Sequence, residues 1–239
     1  MFALEIDDDM ARITLQRPER RNAIARDGWA SLAAWIGEAD ASAARLLVVT
    51  GSSGAFCAGA DLSDFPMALD AAAEFRLAMR TALDRLRDAA IPTIALIDGA
   101  CYGAGMALAM ACDLRFATPA SQFAIPPAKI GISYPQEDVH RLVELVGPGQ
   151  AARLLYSGQG IDAAEALRIG LVEMVAEADE GEAYLAAIRA NGAESLVALK
   201  RAVRLAAAGV RQDEDQDARF DALLGGPELA RRLEAMWRK

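Results

Sequence analysis

The chain predicts a layered α/β fold, a parallel sheet crossed by helices and extended by a helical C-terminal region. Short, continuously apolar runs recur at residues 46–49 and 94–97, as strands buried on both faces require. Long stretches of helical periodicity separate them, the crossover length that parallel pairing needs. From about Asp179 onward the pattern is almost wholly helical.

Taken in order, Phe2, Leu4 and Ile6 alternate with other residues, Asp7-Asp8-Asp9 make an acidic turn, and residues 11–15 resume the apolar pattern. This is an opening β-hairpin. Residues 27–39 set Trp29, Leu32, Ala33 and Ile36 at helical spacing, and Thr50-Gly51 ends the strand 46–49. Phe75, Met79, Leu83, Leu86 and Ala90 line one stripe of a long helix that stops before Pro92. After the strand 94–97 comes a glycine-rich turn, 99–105, and then residues 106–112, small and apolar enough for a fully buried helix. Residues 114–117 and 122–125 are further strands. In the tail, Leu196, Leu199 and Val203 share one helix face and Leu229, Leu233 and Met236 another. No Pro/Gly/Ser linker precedes it, so it is expected to pack as an appendage.

At 239 residues the chain is long enough to bury a core without disulfide or metal support, and 54% hydrophobic with 25% charged residues is an ordinary globular balance. Its net charge of −9 repels polyanions, which argues against nucleic acid as a partner. The lysines are Lys129, Lys200 and Lys239, so an anion site has to draw on arginine forks. Cys57, Cys101 and Cys112 lack CxxC spacing and His140 is the single histidine, which leaves no basis for a disulfide framework or a histidine-rich metal site. The acidic opening residues do not resemble a secretion signal, and the apolar stretch 106–111 is far short of the ~20 residues that span a bilayer. The expectation is a cytoplasmic protein with no membrane partner.

Two glycine-rich turns carry the chemistry. Gly51-Ser52-Ser53-Gly54-Ala55-Phe56-Cys57-Ala58-Gly59-Ala60-Asp61-Leu62 follows one buried strand; Asp98-Gly99-Ala100-Cys101-Tyr102-Gly103-Ala104-Gly105 follows another and runs into the buried helix. Small residues let a ligand approach the backbone, and free N–H groups at a helix start point at whatever arrives. Two such groups converging on one oxygen make an oxyanion hole. Each turn alone is equally compatible with a structural role. A dinucleotide fingerprint is disfavoured, since Leu108 stands where its third glycine belongs.

Arg17-Pro18 with Asn22-Ala23, then Phe56 to Leu62, Gly103-Ala104-Gly105 to Cys112-Asp113, and Pro126-x-x-x-Ile130-Gly131 resemble the ordered signature of the enoyl-CoA hydratase/isomerase (crotonase) superfamily. Ala151-Arg153-Leu154 and Ala163-Ala164-Glu165-Ala166-x-x-x-Gly170-Leu171-Val172 continue it. The resemblance implies a crotonase-like spiral of ββα units over 1–185 and a helical trimerisation region over 186–239, assembled as a homotrimer or a dimer of trimers. It implies an acyl-CoA thioester as ligand and no cofactor beyond the coenzyme A of the substrate. Carried over by position, the oxyanion donors are the N–H groups of Ala60 and Ala104, while Ala58, Gly59, Ala60, Asp61 and Leu62 line the coenzyme path. Arg20 and Arg21 stand near the family's basic residues and suit phosphate, although solvated surface arginines are the commoner case.

The departure from the family is equally informative. Its hydratases carry two glutamates where this chain has Ala107 and Pro127, neither of which can move a proton. The nearest replacements lie in Ile132-Ser133-Tyr134-Pro135-Gln136-Glu137-Asp138-Val139-His140. Glu137 and Asp138 are candidate acid/base groups, with an N-terminal helix turn as their structural alternative. Tyr134 is a candidate donor or packing residue, and His140 is expected on the surface. Asp61 and Asp113 look structural. The expected reaction therefore needs one proton carrier: double-bond isomerisation, decarboxylation or thioester hydrolysis rather than two-glutamate hydration. The alternative is a family member that binds acyl-CoA without catalysis.

Overall fold

The computed structural model of the chain describes residues 1–7, 9–65 and 68–238. Alternating apolar residues fold Phe2–Asp7 (β1) back on Met10–Leu15 (β2), antiparallel, from Phe2 opposite Leu15 to Asp7 opposite Met10. Asp7 closes the turn by accepting the Met10 amide on Oδ1 at 3.1 Å; Asp8 of the expected acidic turn lies outside the described residues. Gly28–Asp40 (α1) follows and buries Trp29, Leu32, Ala33 and Ile36, the stripe its spacing predicts.

One ββα unit then recurs along the chain. Leu46–Gly51 (β3), Ala55–Cys57 (β4) and Leu69–Asp88 (α2) form the first; Thr93–Ile97 (β5), Ala100–Tyr102 (β6) and Ala104–Ala111 (α3) the second; Leu114–Ala117 (β7), Gln122–Ala124 (β8) and Gln136–Ser157 (α4) the third. The leading strand of each unit enters a six-stranded sheet ordered β1-β2-β3-β5-β7-β10, where β10 is Met174–Val175 and every pair after β1·β2 is parallel. The second strand enters a four-stranded sheet, β4-β6-β8-β9, closed by antiparallel Ile161–Asp162 (β9). This is the crotonase-like spiral that the resemblance implies.

Two expectations shift. The glycine-rich turn 99–105 contains β6, and α3 begins at Ala104 rather than 106, which puts Gly103 at its N-cap. A three-residue strand is too short to show period two, and β6 owes its place to close backbone approach. A Cβ on Gly99, whose φ is +65°, lies 2.0 Å from the Gly54 carbonyl oxygen. The strand expected over 122–125 ends at Ala124.

The six-stranded sheet is apolar on both faces, which explains the continuous runs. Leu47, Val49, Ala95 and Ile97 face a core shared with Trp29, Leu83 and Leu108, while Leu46, Val48, Ile94 and Phe116 face Leu185. Leu185 belongs to Ala178–Arg189 (α6), which follows Ala163–Arg168 (α5) and carries the tail onto the sheet without a linker. Beyond lie Ala193–Ala207 (α7), Glu214–Leu224 (α8) and Pro227–Trp237 (α9). Here the expected packing stripe is corrected: Leu199 and Val203 are 61% and 68% exposed, and α7 buries Ala198 and Lys200 instead. The same holds for Met236, exposed on α9. Lys200 wins the buried position because its Nζ donates to the Ile91 carbonyl at 2.9 Å and pairs with Asp113 Oδ2 at 2.8 Å. No described helix is long and apolar enough to cross a membrane.

Replacing Lys200 strands Asp113, which also accepts the Thr93 amide at 2.7 Å. Loss of one partner from a fully buried pair costs about 3–5 kcal/mol; with Asp113 30% exposed and still bound by Thr93, Lys200→Met is expected to cost about 1–2 kcal/mol, read as a lowered urea midpoint. An unchanged midpoint means that Lys200 does not pin α7.

Candidate active site

The Arg-Pro and Asn-Ala residues near the start act as staples for the first glycine-rich loop. Asn22, at φ 59°, is buried and donates from Nδ2 to the carbonyls of Ala55 (2.6 Å) and Ser52 (2.9 Å), while its Oδ1 accepts the Arg17 amide at 2.9 Å. Arg17 Nη1 in turn donates to Asp61 Oδ2 at 2.6 Å. Asp61 Oδ1 accepts the Ser63 hydroxyl at 2.6 Å and the Ser63 amide at 3.0 Å. These bonds favour the carboxylate, so Asp61 is held down at about 2, the Ser63 hydroxyl contributing most. The whole carboxylate of Asp61 is consumed in shaping the turn.

With the loop fixed, its backbone bonds account for the amides on either side of Gly59 and Ala60. Ile24 donates to the Gly59 carbonyl at 2.9 Å, Asp61 donates to the Ile24 carbonyl at 2.9 Å, and Ala58 donates to the Arg21 carbonyl at 2.9 Å. Among the described residues the Ala60 N–H has no acceptor. At the second turn Gly103, φ +51°, donates to the Ala124 carbonyl at 2.9 Å, and Ala104 opens α3. The Ala104 N–H also has no acceptor among the described residues.

The two loops touch. A Cβ built on Gly59 falls 3.0 Å from the Tyr102 carbonyl oxygen and 3.4 Å from the Ala104 nitrogen; one on Gly105 falls 2.3 Å from the Cys57 carbonyl oxygen. Ala60 and Ala104 are each half-buried, so both amides remain reachable. Free N–H groups on two touching loops, one of them at the positive end of a helix, are suited to a developing oxyanion.

Around this pair, Ala107 and Pro127 are buried and carry no ionisable atom. Glu137 and Asp138 both lie in the first turn of α4 but part company there. Glu137 is exposed, whereas Asp138 is 3% exposed and accepts Arg80 Nη1 on Oδ1 at 2.9 Å. Asp138 Oδ2 is buried with no donor. Burial raises its carboxyl above the ordinary value, against the opposing pull of Arg80. Arg80 is shared with Asp84 at 3.0 Å. Tyr134, just before α4, donates its hydroxyl to the Gly103 carbonyl at 2.9 Å. Burial, helped by the charge of Asp138, pushes its phenol well above the usual value. His140 is exposed and 3.2 Å from Glu144.

Arg20 and Arg21 are exposed, and among the described residues neither forms an ion pair. Leu62 is exposed beside them on the loop that follows Ala58, Gly59 and Ala60. The thiols of Cys57, Cys101 and Cys112 are buried and raised by that burial, Cys57 to about 12, which makes them inert packing groups. Sequence reasoning missed Arg80. Its only mark in the sequence is the i,i+4 spacing to Asp84, which reads as an ordinary solvated pair.

The model of the family described as enoyl-CoA hydratase/isomerase matches residues 5–222. "Probable enoyl-CoA hydratase EchA14" of Mycobacterium tuberculosis is 36% identical over 236 residues, which cover 97% of this chain and 88% of that one. The short-chain-enoyl-CoA hydratase of Clostridium acetobutylicum is 35% identical over 180 residues, 74% of this chain and 69% of that one. The crystal structure of enoyl-CoA hydratase from Thermoplasma volcanium superposes with a TM-score of 0.89 at 33% identity, covering 100% of this chain and 97% of that one.

Two consequences are measurable. Gly105→Ala drives a methyl into the Cys57 carbonyl oxygen, 2.3 Å away, and separates the loops. The expected loss is about 1–3 kcal/mol of stability by denaturant titration, as for overpacked sites. For Asp61, the folded value of about 2 lies below the ordinary 3.8, so the unfolded chain binds more protons between them. Its contribution is present above pH ~4 and lost as pH falls toward ~2. Asp61→Asn is expected to flatten that acid limb when the urea midpoint is followed against pH.

Proposed function

The chain belongs to the enoyl-CoA hydratase/isomerase family, and from that premise we propose that it binds an acyl-CoA thioester and stabilises its enolate between the N–H groups of Ala60 and Ala104. The observation that carries this is the pair of acceptor-free amides brought side by side by two successive ββα units. When a base removes the Cα proton, the electron pair moves onto the thioester oxygen. Two aimed donors meet it there, each worth about 10²–10³ in rate in comparable sites.

Asp138 is the proton carrier that this reading favours. It is buried, its carboxyl is raised toward the range useful for proton transfer, Arg80 holds one oxygen and the other is free. Glu137, on the solvent side, is the second candidate. With Ala107 and Pro127 in place of two carboxylates, one carrier serves the reaction, and we assign double-bond isomerisation. Asp138 takes the proton from Cα of a 3-enoyl thioester and returns it to Cγ, so the double bond shifts into conjugation and nothing else is consumed. No cofactor beyond the substrate's own coenzyme A enters. Arg20 and Arg21, unpaired and exposed, suit its phosphates, and Ala58 to Leu62 suit the path of its adenine and thioester.

The tail supports assembly. Leu199, Val203, Phe220, Leu224, Met236 and Trp237 are all exposed on α7 to α9 and suit burial against other copies, in line with a homotrimer or a dimer of trimers. The reading places the protein in the cytoplasm. The same Ala107 and Pro127 favour one rival, a subunit that binds acyl-CoA and turns nothing over.

Solvent-deuterium exchange at Cα of butyryl-CoA separates the two. Exchange that vanishes in Ala104→Pro, where proline at the first helical position keeps the fold but removes the N–H, supports the enolate reading. Binding without exchange supports the rival, and absence of binding overturns both. Asp138→Asn keeps an oxygen for Arg80 and is expected to slow exchange by about 10²-fold or more with binding intact, while Glu137→Gln stays near wild type. The wild-type rate is expected to fall as pH drops through a value above the ordinary carboxyl range, because only ionised Asp138 accepts the proton.

A further inference from the structure

The second oxyanion donor is one end of a peptide plane whose other end is held by a side chain. The Gly103 carbonyl and the Ala104 N–H belong to the same planar trans peptide and so point in opposite directions. Gly103, at φ +51° and ψ −117°, is in neither helix nor strand geometry, so its hydrogen bonds set how that plane is turned. The carbonyl accepts the Met106 amide at 2.9 Å and the Ala107 amide at 3.2 Å, both from the helix it precedes, and the Tyr134 hydroxyl at 2.9 Å. The Ala60 plane differs: its Gly59 carbonyl accepts the Ile24 amide at 2.9 Å and, from side chains, the weak Cys57 thiol at 3.6 Å.

We propose that Tyr134 is a positioning residue of the oxyanion site, its hydroxyl turning and polarising the Gly103–Ala104 peptide so that the Ala104 N–H is aimed at the thioester oxygen. The inference rests on the enolate reading above. A donor on a carbonyl draws electron density from the amide nitrogen and strengthens the N–H at the far end, the cooperative effect of hydrogen bonds in series. Tyr134 is suited to this because it packs against the main core beside Ala104 and burial keeps its phenol protonated.

The test is the carbonyl stretch of [1-¹³C]crotonyl-CoA bound to the full chain, read by isotope-edited infrared difference spectroscopy, beside Cα exchange of butyryl-CoA. In the wild type the bound carbonyl is expected to shift to lower frequency. Tyr134→Phe should return a large part of that shift and slow exchange about tenfold, short of the 10²–10³ of deleting a donor outright, with KM nearly unchanged. Placing 3-fluorotyrosine at 134, a stronger donor of nearly the same shape, should deepen the shift. A purely structural tyrosine would not grade with donor strength, and this arm decides the matter if Tyr134→Phe fails to fold. A wild-type shift left unchanged by both replacements overturns the role of Tyr134 and leaves the oxyanion reading standing. No wild-type shift overturns the oxyanion reading itself.

Discussion

The structure turns on the meeting of two loops whose amides are kept out of secondary structure. An N–H left without an acceptor costs about 1–3 kcal/mol when fully buried, so a fold keeps two side by side only where solvent or a ligand reaches them. Parallel pairing makes the meeting possible. β4 and β6 run the same way, so the chain leaves both strands at the same edge, the end at which ligands bind in open parallel sheets. Gly59 and Gly105 then remove the side chains that would hold the loops apart. Most of what surrounds them, from the Asn22 clamp to the Arg17–Asp61 pair, keeps that edge in register.

Charge is distributed with the same economy. Asp61 and Asp138 are both nearly buried carboxylates beside an arginine, yet they respond in opposite directions. Asp61 is saturated, with Ser63 and Arg17 filling both oxygens, and its charge is stabilised. Asp138 has one oxygen bonded and one without a donor, so desolvation prevails over the pull of Arg80 and the more distant Arg141. A saturated carboxylate is a structural strut. A half-satisfied one sits nearer the point of taking up a proton, the property an acid/base group needs.

The sequence was legible where a signal extends over several residues or turns on a steric necessity. The hairpin, the buried strands around Val48 and Ile94, and the stripe of α2 from Phe75 to Leu86 follow from periodicity, whereas Ala90, expected on that stripe, lies past the helix end at Asp88 and is exposed. The paired glycine-rich turns follow from the need for close backbone approach. The second sheet was not legible, because strands such as Ala55–Cys57 and Ala100–Tyr102 are three residues long and lie inside those same turns. The apolar positions Leu199 and Val203 form a true stripe, but periodicity states only that a face is apolar, not which neighbour covers it. Sequence spacing could not divide Glu137 from Asp138 either. Adjacent helical residues project about 100° apart, and only the position of Arg80 on a distant helix shows which one faces inward.

The proposed oxyanion site is built from main chain. Ala60 and Ala104 contribute N–H groups that almost any side chain would leave in place, and the residues that fix them, Asn22, Asp61, Gly59, Gly103 and Gly105, are the ones the motifs preserve. The motifs thus report a backbone geometry for holding an oxyanion, whereas the reaction is set by whichever side chains stand around it. Here Ala107 and Pro127 carry no ionisable atom, and the polar groups come from Tyr134, two residues before α4 begins, and from Asp138 in its first turn. One of them reaches the peptide that carries the donor, and the other keeps a free oxygen in the interior. On the proposed reading, chemistry at this site passes through a thioester oxyanion, and the groups around the start of α4 decide which proton is moved.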